Sequence, residues 1–202
     1  SMNVPTTKKW FWTRQLATVL GFAALQAGHE VAVALCHRGD VFFSRPFHGR
    51  ACAAELFAFL TPHKPGGEAS LAQAAQALNS PEDYGRIIFF SDFMLAAKNK
   101  KRLSWVSALA ARCCLVRVLA PDELSVDVDQ ISDPESARRH IFGPGRRREF
   151  QSLIEAFERD FYAAVSDRNL EFIDLRTDDV FDAACTKLMQ HFSALGSRNR
   201  AV

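Results

Sequence analysis

Arg86-Ile87-Ile88-Phe89-Phe90-Ser91-Asp92-Phe93 is the stretch that decides the fold: an apolar run that stops abruptly at a serine and an acid. Its uncharged part, Ile87 to Ser91, predicts a strand covered on both faces, as in the middle of a parallel sheet. Phe89 is then expected to be a fully buried core residue. In open α/β sheets ligands gather at the carboxyl ends of such strands, so Ser91 and Asp92 stand where a site is expected. Asp92 is the first candidate functional residue, and a ligand-facing role would leave it with little part in stability. The competing role is capping or loop fixing, since acids and serines are favoured before helices for that reason alone.

Working outward, two further uncharged or nearly uncharged runs, Cys113 to Leu119 and Leu170 to Leu175, read as parallel neighbours, and Val31 to Cys36 as a fourth parallel strand. Amphipathic spacing predicts helices over Thr7 to Ala27, with Gly28 as C-cap, and over Gly49 to Leu60, Ala69 to Leu78, Leu103 to Arg112 and Glu149 to Val165. Thr177-Asp178-Asp179 is expected to cap a final helix ending at Leu195. His37-Arg38-Gly39-Asp40 reads as a tight turn into an antiparallel partner at Val41 to Phe43. Between Leu124 and Phe142, short alternating pieces around Asp133-Pro134-Glu135 predict a small antiparallel ribbon. The expected fold class is α/β: one domain over residues 1–195, built on a doubly wound, mostly parallel sheet with helices on both faces, and a flexible tail over 196–202.

A chain of 202 residues with 48% hydrophobic content can bury one substantial core. Its formal charge of +2 is far from the one-sided basic balance of a dedicated nucleic-acid binder, so no nucleic-acid partner is expected. No stretch reaches the roughly 18 apolar residues that cross a bilayer, and Lys8, Lys9, Trp10 and Arg14 do not have a signal-peptide layout, so the expectation is a cytoplasmic protein without a membrane partner. Five cysteines without a Cys-x-x-Cys spacing, mostly in apolar segments, read as reduced structural thiols.

The chain contains no dinucleotide fingerprint, P-loop or Gly-x-Ser-x-Gly elbow, and its six histidines are scattered without a His-x-x-x-His pair. These histidines read as surface or loop residues. Arg146-Arg147-Arg148 is a basic cluster at a helix N-terminus, where cations meet the positive end of the helix dipole; it reads as a solvated charge run, with phosphate or an acidic partner as the functional alternative.

Five segments taken in order carry a resemblance: Thr13 to Ala17 with Ala24 to Val31, Gly66 to Leu71, Ile88 to Phe93, and Leu175 to Asp179. Together they resemble the bacterial domain-of-unknown-function family fifty-eight, which is similar to the von Willebrand factor A fold, a Rossmann-like doubly wound sheet. The resemblance implies a protein-interaction module of a kind often encoded beside an AAA+ ATPase of the MoxR type. It also implies that a first strand belongs between Val31 to Cys36 and Arg86 to Ser91. With no such strand in the chain, the two flanking strands are expected to pair directly, a homodimer being the alternative.

In von Willebrand A domains a divalent ion is held by Asp-x-Ser-x-Ser, a threonine and a later aspartate, and the resemblance places Asp92 at that last aspartate. Ala69 falls at the threonine, with Ser70 beside it, and the Asp-x-Ser-x-Ser segment is absent unless Ser1-Met2 is its tail rather than a cloning remnant. The resulting expectation is a degenerate metal site at Asp92, with no tightly bound cofactor, and with weak Mg2+ or Ca2+ binding only if an upstream Asp-x-Ser-x-Ser exists. The functional reading is a non-enzymatic scaffold or adaptor that presents Ser91, Asp92, Gly67 and Ser70 to a protein partner. The alternative is a metal-assisted hydrolase of a phosphate substrate, with Asp92 and Asp40 as ligands and Arg146 to Arg148 on the phosphate.

Overall fold

The computed structural model describes residues 7–37, 40–63, 74, 76, 85–93, 106, 113–121, 130–132, 139–141 and 144–198. Helix α1 (Thr7–Gln26) leads into four short strands, β1 (Glu30–Val31), β2 (Ala34–His37), β3 (Asp40–Phe43) and β4 (Phe47–His48), and then helix α2 (Ala53–Leu60). Strands β5 (Ile87–Ser91), β6 (Cys113–Leu119), β7 (Gln130–Ser132) and β8 (Arg139–Ile141) follow. Helix α3 (Pro144–Asp167), strand β9 (Glu171–Arg176) and helix α4 (Phe181–Arg198) complete the described elements. The architecture is mixed α/β: β5, β6 and β9 form a parallel sheet in the order β5-β6-β9, and β7 pairs with β8 as the expected antiparallel ribbon.

Alternation along these strands separates two apolar layers. Cys113, Leu115 and Phe172, with half-buried Ile87 and Phe89, meet Phe161 and Val165 of α3 on one face. Cys114, Val116, Val118, Ile173 and Leu175 meet Trp12 and Leu16 of α1 and Ala184 and Leu188 of α4 on the other. Helices therefore cover both faces of the sheet. Trp12 and Phe181 lock α1 to α4 in an edge-to-face contact with ring centroids 5.7 Å apart. A third cluster, Leu25, Phe47, Leu56 and Leu60 with half-buried Val31, Val33 and Leu35, lies between the far half of α1, α2 and the short strands. Serving both this cluster and the sheet is why α1 is apolar on more than one side.

Local chemistry sets the helix ends. The N–H of His29 donates to Ala24 O and that of Gly28 to Leu25 O, with Gly28 at φ 83°, which is the Schellman closure expected at that glycine. Gly21 matters for a different reason. A Cβ there would stand 2.6 Å from Leu56 Cδ2, so the missing side chain lets α2 approach α1. Pro144 opens α3 at the position where a missing N–H costs nothing.

Five expectations need correction. Val31 to Cys36 is not a parallel strand of the main sheet: β1 pairs antiparallel with β4, and β2 antiparallel with β3. Between them Val33 N donates to Ser44 Oγ at 2.9 Å, and Ser44 N donates to Val33 O at 2.8 Å. A partner three residues away along the chain satisfies β2 at little loop-closure cost, so the expected direct pairing with the Arg86 to Ser91 strand does not form, and β5 has β6 alone as a neighbour among the described strands. Phe89 is accordingly half-buried, and the strand buried throughout is β6. Asp179 does not cap α4; its Oδ2 accepts the N–H of Arg176 at 3.0 Å in the preceding turn, and the helix begins at Phe181. Helix α4 also runs on to Arg198, past the end expected at Leu195. The helices expected over 69–78 and 103–112 lie outside the described residues apart from Ala74, Gln76 and Val106.

Among the described residues the best-buried aromatic is Phe161, which is stacked on Phe93 and Phe157. Phe161→Ala should cost about 3 to 5 kcal/mol in urea denaturation, and Phe89→Ala clearly less. Equal losses would contradict the different burial of the two rings.

Candidate functional site

At the carboxyl end of β5 the chain turns sharply. Ser91 Oγ accepts the N–H of Phe93 at 3.2 Å, and Phe93 adopts φ 52°, a left-handed conformation that costs an aromatic residue energy. Burial of its ring against Phe161 offsets that strain. Asp92, between them, points to the opposite face and is only 3% exposed. Its Oδ2 accepts a hydrogen bond from Lys9 Nζ at 2.9 Å, and the Lys9 side chain is fully buried. Lys9 lies in the first turn of α1, where a cation is disfavoured by the helix dipole and an acid is favoured, so Asp92 compensates both the charge of Lys9 and the end of the helix.

Burial removes Asp92 from the surface that a protein partner would touch, and its carboxylate is paired inward with Lys9. The residues do not fit a divalent ion either. Hard cations want about six oxygen ligands, and the Lys9 ammonium against this carboxylate is a like charge to any metal placed there. Asp40 is exposed at the start of β3, in a different sheet from the strand that leads to the buried Asp92. Arg146 to Arg148 lie in the first turns of α3, with Arg148 exposed. Gly67 and Ser70 lie outside the described residues.

A second charged centre, on the α3 face, carries no local motif. The register sets Ser91, Arg117 and Asp174 side by side across the three strands. Arg117 is 2% exposed, in the middle of the central strand. Its Nε donates to Asp174 Oδ1 at 3.0 Å, Nη1 to Glu158 Oε1 at 2.9 Å, and Nη2 to the Tyr162 hydroxyl at 2.8 Å and to Asp174 Oδ2. The guanidinium also lies over the rings of Tyr162 and Phe172. Burial pulls the Arg117 pKa down, but the hydrogen bond and charge of Asp174, with Tyr162 and Glu158, outweigh it and hold the group above its ordinary value. Burial likewise pushes the Tyr162 hydroxyl up, opposed by Arg117 and helped by Asp174. With its donors committed to partners inside the chain, Arg117 is arranged to hold α3 on the sheet rather than to receive an incoming anion.

Sequence reasoning found Asp92 but not its partner, because Lys9 is 83 positions away and looks like part of a polar N-terminus. It also passed over Arg117; the available signal was a lone arginine inside an otherwise apolar strand, which is tolerated only with buried partners. Compared with known proteins, the chain matches no family model and no curated protein.

Breaking either centre should show in stability. Lys9→Met leaves a buried carboxylate without its cation and should cost about 3 to 5 kcal/mol, whereas Lys9→Met combined with Asp92→Leu should recover much of that loss. Strictly additive effects in urea denaturation would show that the two groups are not coupled. Arg117→Lys cannot reproduce the planar fork and should cost about 1.5 to 3 kcal/mol, the range for hydrogen bonds to charged groups. A lysine variant as stable as the parent would show that the fork geometry is unimportant.

Proposed function

We propose that the chain is a non-enzymatic protein-interaction module, a von Willebrand factor A-like scaffold or adaptor that works with a MoxR-type AAA+ ATPase. The observation that carries this reading is the outward side of α1. Phe11 is 48% exposed, Phe22 40% and Val19 36%. Eleven residues of helix bring Phe22 back to within about 20° of Phe11, and Val19 lies about 80° away, so the three share one side. Phe57 of α2, the helix that packs on α1, is 46% exposed. Large apolar side chains left exposed along one side of a helix mark protein contacts more often than catalysis. The Lys9–Asp92 pair supports the same reading from inside, since it commits the strand-end acid to holding α1 in place. The contact surface in this reading is therefore the α1 face above the strand end rather than Asp92 itself. The ATPase as partner rests on the resemblance to family fifty-eight.

Purified protein and a purified MoxR-type ATPase from the same genome should form a complex by calorimetry. Phe11→Ser and Phe22→Ser should each weaken it at least about tenfold without lowering the melting temperature. Undiminished binding by both variants would overturn the assignment of this face. A dimer by sedimentation that the same substitutions dissociate would replace the ATPase with a second copy of the chain.

A further inference from the structure

The other end of the parallel sheet gathers a different chemistry. Cys114, near the start of β6, and Glu171, at the start of β9, are direct register partners and project from the face that α4 covers. His191 of α4 comes down on the pair, with its Nε2 2.9 Å from Glu171 Oε2. One ligand atom from each of the three residues lies within 4.8 Å of the others. Arg86, just ahead of β5, pairs with the same Glu171 oxygen, and its guanidinium lies 5.1 Å from the centre of the Phe192 ring. The site thus draws on two strands held in fixed register, a helix, and the residue that leads into a third strand.

We propose that Cys114, Glu171 and His191 form a binding site for a single divalent ion of the borderline class, with zinc as its natural occupant. The donor set selects the metal. A thiolate and an imidazole are poor ligands for calcium or magnesium, whereas sulfur, nitrogen and one carboxylate oxygen is a familiar zinc combination. Tetrahedral bonds of about 2.0 to 2.3 Å set donor atoms about 3.3 to 3.7 Å apart, so the ion has to part Glu171 from His191 slightly. Cys114 is fully buried, while Glu171 and His191 are half-buried, which leaves the fourth coordination position on their solvent side. Arg86 stays behind the carboxylate as the outer partner that orients it.

Charge and protons balance. The ion binds as a dication, the Cys114 S–H bond breaks, its electron pair becomes the sulfur–metal bond, and one proton leaves to solvent, while the Nε2 proton shared with Glu171 is given up and the neutral His191 ring carries its hydrogen on Nδ1. Without a metal the Cys114 thiol is pushed up to about 12, first by burial and then by the charge of Glu171, with Arg86 opposing. A dication seated between sulfur and carboxylate reverses that electrostatic order. The site goes beyond the interaction reading and does not depend on it, for it uses neither the outward face of α1 nor the Lys9–Asp92 pair.

Full-length protein stripped with a chelator and titrated with Co2+ should develop a sulfur-to-cobalt charge-transfer band that saturates at one ion per chain and disappears when Zn2+ is added. Cys114→Ser should abolish the band, and Arg86→Met should weaken binding by about 10- to 100-fold, as loss of an outer partner does. His191→Gln should weaken it more. Its side chain is partly exposed, so this variant keeps a fold against which to judge should Cys114→Ser fail to fold. Absence of the band, or a band and affinity that survive His191→Gln, would overturn the site and assign any bound metal to other cysteines.

Discussion

The ion pair between Lys9 and Asp92 fastens the first turn of α1 to the end of β5, and the rest of the architecture depends on where α1 lies. One half of that helix supplies Trp12 and Leu16 to the sheet; the other supplies Leu25 to the cluster beneath the short strands. A helix that is apolar in several directions has no unique seat by hydrophobicity alone, because rotating it exchanges one greasy face for another. A buried charge pair is directional. It makes every other rotation leave a bare ammonium and a bare carboxylate in an apolar interior. In this chain the pair selects the orientation that hydrophobic burial leaves open.

Arg117 plays the corresponding role on the opposite face. Phe157, Phe161 and Phe172 offer broad ring surfaces over which α3 could slide, and the guanidinium fork to Asp174 with its reach to Glu158 and Tyr162 fixes the helix against β9. Each layer of the sandwich therefore combines a non-directional apolar seal with one directional polar lock. Such locks add little net stability, since the desolvation of the charges consumes much of what their attraction returns. Their contribution is to make a single arrangement preferable to its near neighbours.

How much of this was legible in the sequence follows from the range of each interaction. Strands β5, β6 and β9 announce themselves through short runs rich in apolar residues, and α1 and α3 through apolar spacing, because those signals are local. Val31 to Cys36 misled because an apolar run of that length suits a parallel strand and a hairpin arm equally well; Ser44, which ties itself to Val33, decides between them only in three dimensions. Asp92 was legible as a special residue from its place at a strand end, but its role was not, since that depends on which side chain faces it. Arg117 with Asp174, and Cys114 with Glu171 and His191, are joined by register and packing, and no spacing in the sequence encodes them.

Sharing one helix between two apolar clusters divides the molecule in how it yields to solvent. The cluster of Leu25, Phe47, Leu56 and Leu60 meets the sheet's own layers through α1, and its short strands pair with each other rather than with β5. It can loosen as a unit while Trp12 and Leu16 stay seated, so backbone amides in β2 and β3 should exchange with solvent deuterium through sub-global opening. Amides of β6, hydrogen-bonded on both sides and buried over its whole length, are released only when the entire sheet comes apart. The same sharing makes α1 the element through which a load on the outer cluster reaches the sheet, so a partner gripping its outward face would hold both cooperative units at once.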